Sequence, residues 1–237
     1  MPQIAKITSQ KQPIIYPNGN ETFTLKEDFR YYYNGLIRIR FDRGISQDSK
    51  DAVLFWIDDE HGVLMEVASK YISKVLETSN GKYMLDPGCG SAILSLGLAK
   101  QFEDKIRTKV EKIIAIDVNQ KAIKYAQENA ELNQLEDLYE FVNEPYSINS
   151  VEPQSAILIA HNVPYHPHNP ADGDKILTSC SGGSDGQKWL RVFLEASALH
   201  LAQNGMICGI TKCWGNENPE FFDYVGDYFP TASIYWH

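Results

Sequence analysis

Asn162-Val163-Pro164-Tyr165 joins residue types that can together hold a flat amino group. The Asn side-chain oxygen can accept one N–H of such a group, and the backbone carbonyl of the next residue can accept the other. A tyrosine ring can stack on the plane and lie near a positive charge. An amide or aniline-like nitrogen is a poor nucleophile because its lone pair is delocalised. Gripping both hydrogens turns that lone pair toward an electrophile, so catalysis at such a site is mainly positioning and electrostatics, with no dedicated general base. The tetrapeptide follows an apolar run, Ala156-Ile157-Leu158-Ile159-Ala160, that reads as a buried strand.

A second group of residues could hold a cofactor. Asp86-Pro87-Gly88-Cys89-Gly90 follows the short strand Tyr83-Met84-Leu85 and precedes an apolar helix read over 91–100. Glycines there allow a tight turn and close approach of a ligand to the backbone. The helix N-terminus beyond favours a negatively charged ligand group. Asp117 ends the strand Ile113-Ile114-Ala115-Ile116-Asp117, where a carboxylate can accept hydrogen bonds from two ribose hydroxyls. A Gly-x-Gly turn alone also fits a dinucleotide, but that fingerprint needs glycine at position 93, where this chain has Ile93. Asp86, at the start of the turn, instead suits a ligand carrying an ammonium group.

These residues need a scaffold, and the pattern supplies one. Residues 63–77 carry an amphipathic helical stripe that includes Leu64, Val67, Tyr71 and Val75. Strand and helix then alternate. Strands are expected over 112–118, 139–143, 156–160, 206–211 and 231–236, with helices over 119–132, 185–202 and 219–228. Asn119 is the expected cap of the first of these helices. The order implies an α/β fold with a mostly parallel, doubly wound sheet. In such sheets the ligand sits outside the carboxyl ends of the strands, where strand order reverses. Both candidate groups lie on that edge. Upstream, Ile37, Ile39 and Phe41 alternate with Arg38 and Arg40 after an Asn34-Gly35 turn signal, the pattern of a half-buried strand in a hairpin. The expected division is an N-terminal extension over 1–60 and a main domain over 61–237.

Composition bounds the function. The chain has 237 residues and a net charge of −9, which argues against coating nucleic acid by charge alone. Residues 1–50 are locally basic, with eight Lys/Arg against five Asp/Glu, so a small basic patch stays open. Cys89, Cys180, Cys208 and Cys213 form no Cys-x-x-Cys pair, as in a reduced intracellular protein. The N-terminus lacks a signal-peptide core and no apolar run is long enough to span a bilayer, so a cytoplasmic location is expected. His166 and His168 have the spacing of a metal pair but no evident third ligand, and read as loop histidines with no metal. The polar segment 166–181 reads as a lid over the acceptor site.

The stretches Leu85-Asp86-Pro87-Gly88-Cys89-Gly90-Ser91-Ala92 and Ala115-Ile116-Asp117-Val118-Asn119-Gln120-Lys121-Ala122 resemble motif I and the following acidic strand end of class I S-adenosylmethionine-dependent methyltransferases. The resemblance implies a Rossmann-like fold and S-adenosyl-L-methionine as cofactor, held by Asp86, Gly88, Gly90 and Asp117. It implies that Glu144 contacts the adenine amino group, although the residue by itself fits an ordinary loop glutamate equally well. Ala92 stands where many members have a third glycine.

Asn162-Val163-Pro164-Tyr165 resembles the Asn-Pro-Pro-Tyr motif of the members that methylate planar NH2 groups: the HemK-type glutamine N5 enzymes and the adenine N6 and guanine N2 enzymes. It implies that Asn162, Pro164 and Tyr165 are catalytic and that Asn162, Val163, Pro164 and Tyr165 bind the acceptor. Val163 replaces the first proline, keeping the carbonyl but losing the fixed φ. Ser181-Gly182-Gly183-Ser184-Asp185-Gly186, with Arg191, is similar to a helix start of the HemK type and favours protein glutamine as acceptor. The alternatives are adenine or guanine in RNA or DNA, and a methyltransferase-like binding protein without activity. Two departures are the absence of an N-terminal helical bundle pattern and of sequence for a last antiparallel strand.

Overall fold

The computed structural model describes residues 14–15, 22–23, 29–33, 37–42, 51–53, 58–168, 179–211 and 220–230. Two small antiparallel ribbons come first: β1 (Ile14–Ile15) with β2 (Thr22–Phe23), and β3 (Phe29–Tyr33) with β4 (Arg38–Asp42). A single wide helical turn over Asp58–Gly62 leads into α1 (Val63–Thr78). Five strands then form the main sheet: β5 (Tyr83–Pro87), β6 (Lys112–Ile116), β7 (Tyr139–Val142), β8 (Ala156–His161) and β9 (Leu201–Gly209). Between them lie α2 (Ile93–Gln101), α3 (Glu103–Lys109), α4 (Gln120–Leu132) and α5 (Lys188–His200), and α6 (Glu220–Tyr228) follows.

The sheet order is β7-β6-β5-β8-β9 and every pairing is parallel. The chain starts at the central strand, moves outward to β7, then crosses back to β8. The reversal falls between β5 and β8 and opens a crevice at their carboxyl ends. Such strands are covered on both faces and so read as continuous apolar runs; all six residues of β8 are buried. One core unites α1, α2 and α4 with one face, through Ile72, Leu96 and Ala126. A second unites α5 and α6 with the other, through Phe193, Leu194 and Val225. This is the Rossmann-like methyltransferase fold. No helix among the described residues is long and apolar enough to cross a membrane.

β4 lies outside this sheet and is tied to α4 by two asparagines. Asn133 accepts the Arg38 N–H at 2.8 Å and donates to the Arg38 carbonyl at 2.6 Å. Asn129 does the same for Arg40, at 2.6 and 3.1 Å. Ile37, Ile39 and Phe41 are buried in the core, as their alternation requires.

Several boundaries differ from expectation. α2 starts at Ile93 rather than 91, because Ala92 has φ +58, a left-handed conformation that cannot continue a helix. α3 was not expected; Phe102 breaks the helical run, and Glu103, Asp104, Arg107 and Lys109 then complement the dipole of a new short helix. α5 starts at Lys188 because Gly186 has φ +76. It ends at His200, and β9 begins at once: Asn204-Gly205 does not close a helix but lies in an irregularity of β9, between the pairings of Leu201 with Ala156 and Met206 with Leu158. The Asn34-Gly35 turn, Cys213, the strand expected over 231–236 and most of the segment expected as a lid lie outside the described residues.

Candidate active site

The loops after β5, β6, β7 and β8 surround one cavity of about 270 Å³. Asp86, Gly88, Gly90, Asp117, Glu144, Asn162, Val163, Pro164 and Tyr165 all line it. Residues separated by up to 79 positions in sequence thus share one crevice because parallel strands bring their carboxyl ends to one edge.

The glycine turn is held from beneath. The N–H groups of Gly88 and Cys89 both donate to the Ile116 carbonyl, at 2.7 and 3.0 Å. Gly88 and Gly90 have φ +67 and +52, and a side chain added at either would meet no atom within 4 Å. Open space above a left-handed backbone is the shape of a cradle that receives a ligand. Asp117 is fixed by two backbone donors: Gly90 N–H on Oδ2 at 2.9 Å and Asn119 N–H on Oδ1 at 2.8 Å. Burial nevertheless raises its pKa. Asn119 caps α4, its side chain accepting the Lys121 N–H at 2.9 Å. Beside Asp117, Val118 is exposed and lines the cavity. Glu144 sits exposed on the rim.

Asp86 is buried and faces the same cavity. Its Oδ2 accepts the Ser95 hydroxyl at 2.5 Å, and Ser95 in turn accepts the Tyr139 hydroxyl at 3.1 Å. Desolvation raises the Asp86 carboxyl to about 7, against the lowering effect of Ser95. A cation beside it would recover the charged form.

The acceptor side holds a residue that sequence reasoning missed. Glu60, from the turn before α1, accepts Asn162 Nδ2 at 2.8 Å and the Tyr165 hydroxyl on its other oxygen. Burial raises the Tyr165 pKa, and Glu60 adds to the shift. An ionised carboxylate only accepts hydrogen bonds, so Glu60 dictates which way the Asn162 amide faces. Its nitrogen turns to Glu60 and its oxygen turns away. Ala52 and Val53 also line the cavity, so with Glu60 part of the expected N-terminal extension contributes to the site. Val53 is held there by paired backbone and side-chain bonds with Asp42 at the end of β4.

The glycine-rich segment before α5 packs against the acceptor loop. A Cβ at Gly182 would lie 2.8 Å from the Tyr165 carbonyl carbon, and one at Gly186 would lie 2.6 Å from its oxygen. Only glycine permits that approach. Backbone bonds zip the two stretches together: His166 N–H to Cys180 O, Gly182 N–H to His166 O and His168 N–H to Gly183 O. Asp185 accepts the Gln187 N–H at 2.9 Å and Arg191 at 2.7 Å, stabilising the entry to α5. His168 Nδ1 lies 3.0 Å from the Ser181 hydroxyl and His166 is exposed.

Residues 67–163 match the family model for ribosomal protein L11 methyltransferases, less than half of the chain. A Methanocaldococcus jannaschii protein, named as a candidate protein N5-glutamine methyltransferase, is 28% identical over 142 residues, covering 56% of this chain and 64% of that one. The ribosomal protein L11 methyltransferase of Syntrophomonas wolfei is 32% identical over 79 residues, covering 32% of this chain and 24% of that one. This chain therefore spans less than two thirds of the length of either relative. Among solved structures, an S-adenosylmethionine-dependent methyltransferase from Agrobacterium tumefaciens superposes with a TM-score of 0.52 at 15% identity, over 84% of this chain and 57% of that one. At that identity the likeness shows the fold. The family model and the superposition agree on a methyltransferase fold.

Proposed function

We propose that this chain is a class I methyltransferase that moves a methyl group from S-adenosylmethionine to a planar NH2 nitrogen, with a protein glutamine side chain as acceptor. The observation that carries this reading is that Asn162 and Tyr165 face the same cavity as the Gly88–Gly90 cradle and Asp117, across the reversal point of the sheet. Relatives named for protein acceptors favour a protein over a nucleic acid.

The cradle fits the cofactor, being open, backbone-lined and flanked by the buried Asp86 carboxyl. Asp86 and the Gly88–Gly90 turn would hold the methionine portion, Asp117 the ribose and Glu144 the adenine amino group, with Val118 offering an apolar surface to the base. When bound, the cofactor supplies an electrophilic methyl group on a sulfonium. The remaining work falls to the acceptor side. Asn162 Oδ1, turned away from Glu60, accepts one N–H of the acceptor amide. The Val163 carbonyl accepts the other, and Pro164 holds that carbonyl in place. The Tyr165 ring stacks on the amide plane. With both hydrogens held, the nitrogen lone pair would point at the donor methyl; transfer would break the S–C bond, leave S-adenosylhomocysteine and release one held N–H proton to solvent, with the barrier lowered through orientation. In this reading 1–60 is an N-terminal extension, of which Ala52, Val53 and Glu60 line the cavity, and 61–237 is the cofactor-binding domain.

Calorimetry with S-adenosylmethionine, followed by transfer of labelled methyl groups to a protein extract and to total RNA in parallel, tests the reading. Cofactor binding with label in protein glutamine is expected. Absence of binding by the folded chain would refute it, and label confined to RNA would overturn the acceptor assignment.

A further inference from the structure

His161 is the last residue of β8, immediately before Asn162, and is 2% exposed. An imidazole is an unusual occupant of a strand covered on both faces, since its burial costs desolvation unless its nitrogens are used. Nδ1 is used: it accepts the N–H of Val163 at 3.3 Å, which leaves the ring proton on Nε2. Burial pushes the His161 pKa down to about 3, so the ring stays neutral and keeps the lone pair that this bond needs. The neighbouring strand makes room for it. Gly209 of β9 is paired with His161, and a Cβ there would collide with the imidazole. Phe193 of α5 packs against the ring.

Val163 explains this arrangement. A proline in its place would have no N–H and a fixed φ. Valine brings a donor into a position that is 8% exposed, and a φ that is free. An unpaired buried N–H costs about as much as a lost hydrogen bond. We infer that His161 is a positioning residue that substitutes for the absent proline. By taking the Val163 N–H it satisfies the buried donor and fixes the peptide plane between Asn162 and Val163, and with it the backbone that aims the Asn162 side chain. His161, Gly209 and Val163 then form one coupled unit: the glycine admits the imidazole, and the imidazole holds the valine. The inference rests on the proposed role of Asn162 in holding the acceptor.

Three variants test it: His161→Leu, Val163→Pro and the two combined, with His161→Asn as the conservative control because an Asn oxygen sits where Nδ1 does. His161→Leu is expected to lower kcat about tenfold with cofactor affinity unchanged, a factor in keeping with the loss of one positioning hydrogen bond. His161→Asn should recover most of that loss. Measured against Val163→Pro alone, the added His161→Leu change should cost less than about threefold, because no N–H is left to hold. An equal cost in both backgrounds overturns the inference. Hydrogen exchange of the Val163 amide gives a readout independent of turnover. It should be protected in the parent and in His161→Asn, and fast in His161→Leu; equal exchange in all three overturns the inference. Exchange that follows His161 in a protein without methyl transfer would sink the proposed function while leaving the His161 bond established.

Discussion

Asn129 on α4 and Asn133 at its C-cap, one helical turn apart, hydrogen-bond the backbone of Arg40 and Arg38, two residues apart on β4. A helix repeats its face every three to four residues and a strand every two, so two amides can do for one strand edge what a neighbouring strand would do. Asn129 also donates to the Ser91 carbonyl at 2.9 Å, linking β4 to the turn that carries Gly88 and Gly90.

Asn133→Ala should therefore lower stability by about 2 kcal/mol, and Asn129→Ala by more, since each leaves backbone groups of β4 without partners. Chemical denaturation measures both. Losses below about 0.5 kcal/mol would mean that water replaces the amides.

Asn162→Ala should keep cofactor affinity and lower turnover by about 10²-fold or more, the size expected for a group that acts in the transition state. Glu60→Gln should be milder, about tenfold. A glutamine at 60 can offer either a donor or an acceptor, so the Asn162 amide would no longer be told which way to face. Calorimetry beside kcat separates the two roles; a loss of cofactor binding in either variant would contradict them.

Asp86 predicts a pH dependence. Its folded value, about 7, lies above its ordinary 3.8. Between those values the folded chain holds a proton that the unfolded chain has released, so this group's contribution to stability falls as pH rises from about 4 to 7. The decline is at most ~4 kcal/mol. Asp86→Asn should flatten it in denaturation curves taken across that range. A cofactor carrying an ammonium group would expel the same proton. Titrations in buffers of differing ionisation enthalpy should show proton release at pH 6–7 in the parent and none in Asp86→Asn.

Gly186→Ala places a Cβ 2.6 Å from the Tyr165 carbonyl oxygen at φ +76. It should displace the acceptor loop, lowering kcat at least tenfold while leaving cofactor affinity within about twofold. Unchanged turnover would show that the glycine-rich segment does not support Tyr165.

The sequence made the sheet legible because buried parallel strands are local apolar runs, and Gly88, Gly90 and Asp117 legible because turn chemistry is local as well. Asn119 and the alternation at Ile37, Ile39 and Phe41 were readable for the same reason. Glu60 was not: nothing in Asp58-Asp59-Glu60-His61 marks a carboxylate that reaches residues about a hundred positions downstream. Its role depends on where α1 packs. The left-handed Ala92 and the irregularity in β9 escaped similarly, since tertiary contacts override the propensity of single residues. His161 follows the apolar run of 156–160 and was not singled out, because its meaning needed Gly209 across the strand pair.

The bonds beneath the glycine turn decide what kind of ligand it can welcome. Loops that bind pyrophosphate aim successive backbone N–H groups outward to form an anion nest. Here the N–H groups of Gly88 and Cys89 point down to Ile116, Gly90 points to Asp117, and Ala92 N–H returns to Cys89 O. These four donors face inward and offer no outward nest to a phosphate. In the proposed reading the same loop shape that serves dinucleotides elsewhere receives here a ligand whose charge is positive where it meets Asp86.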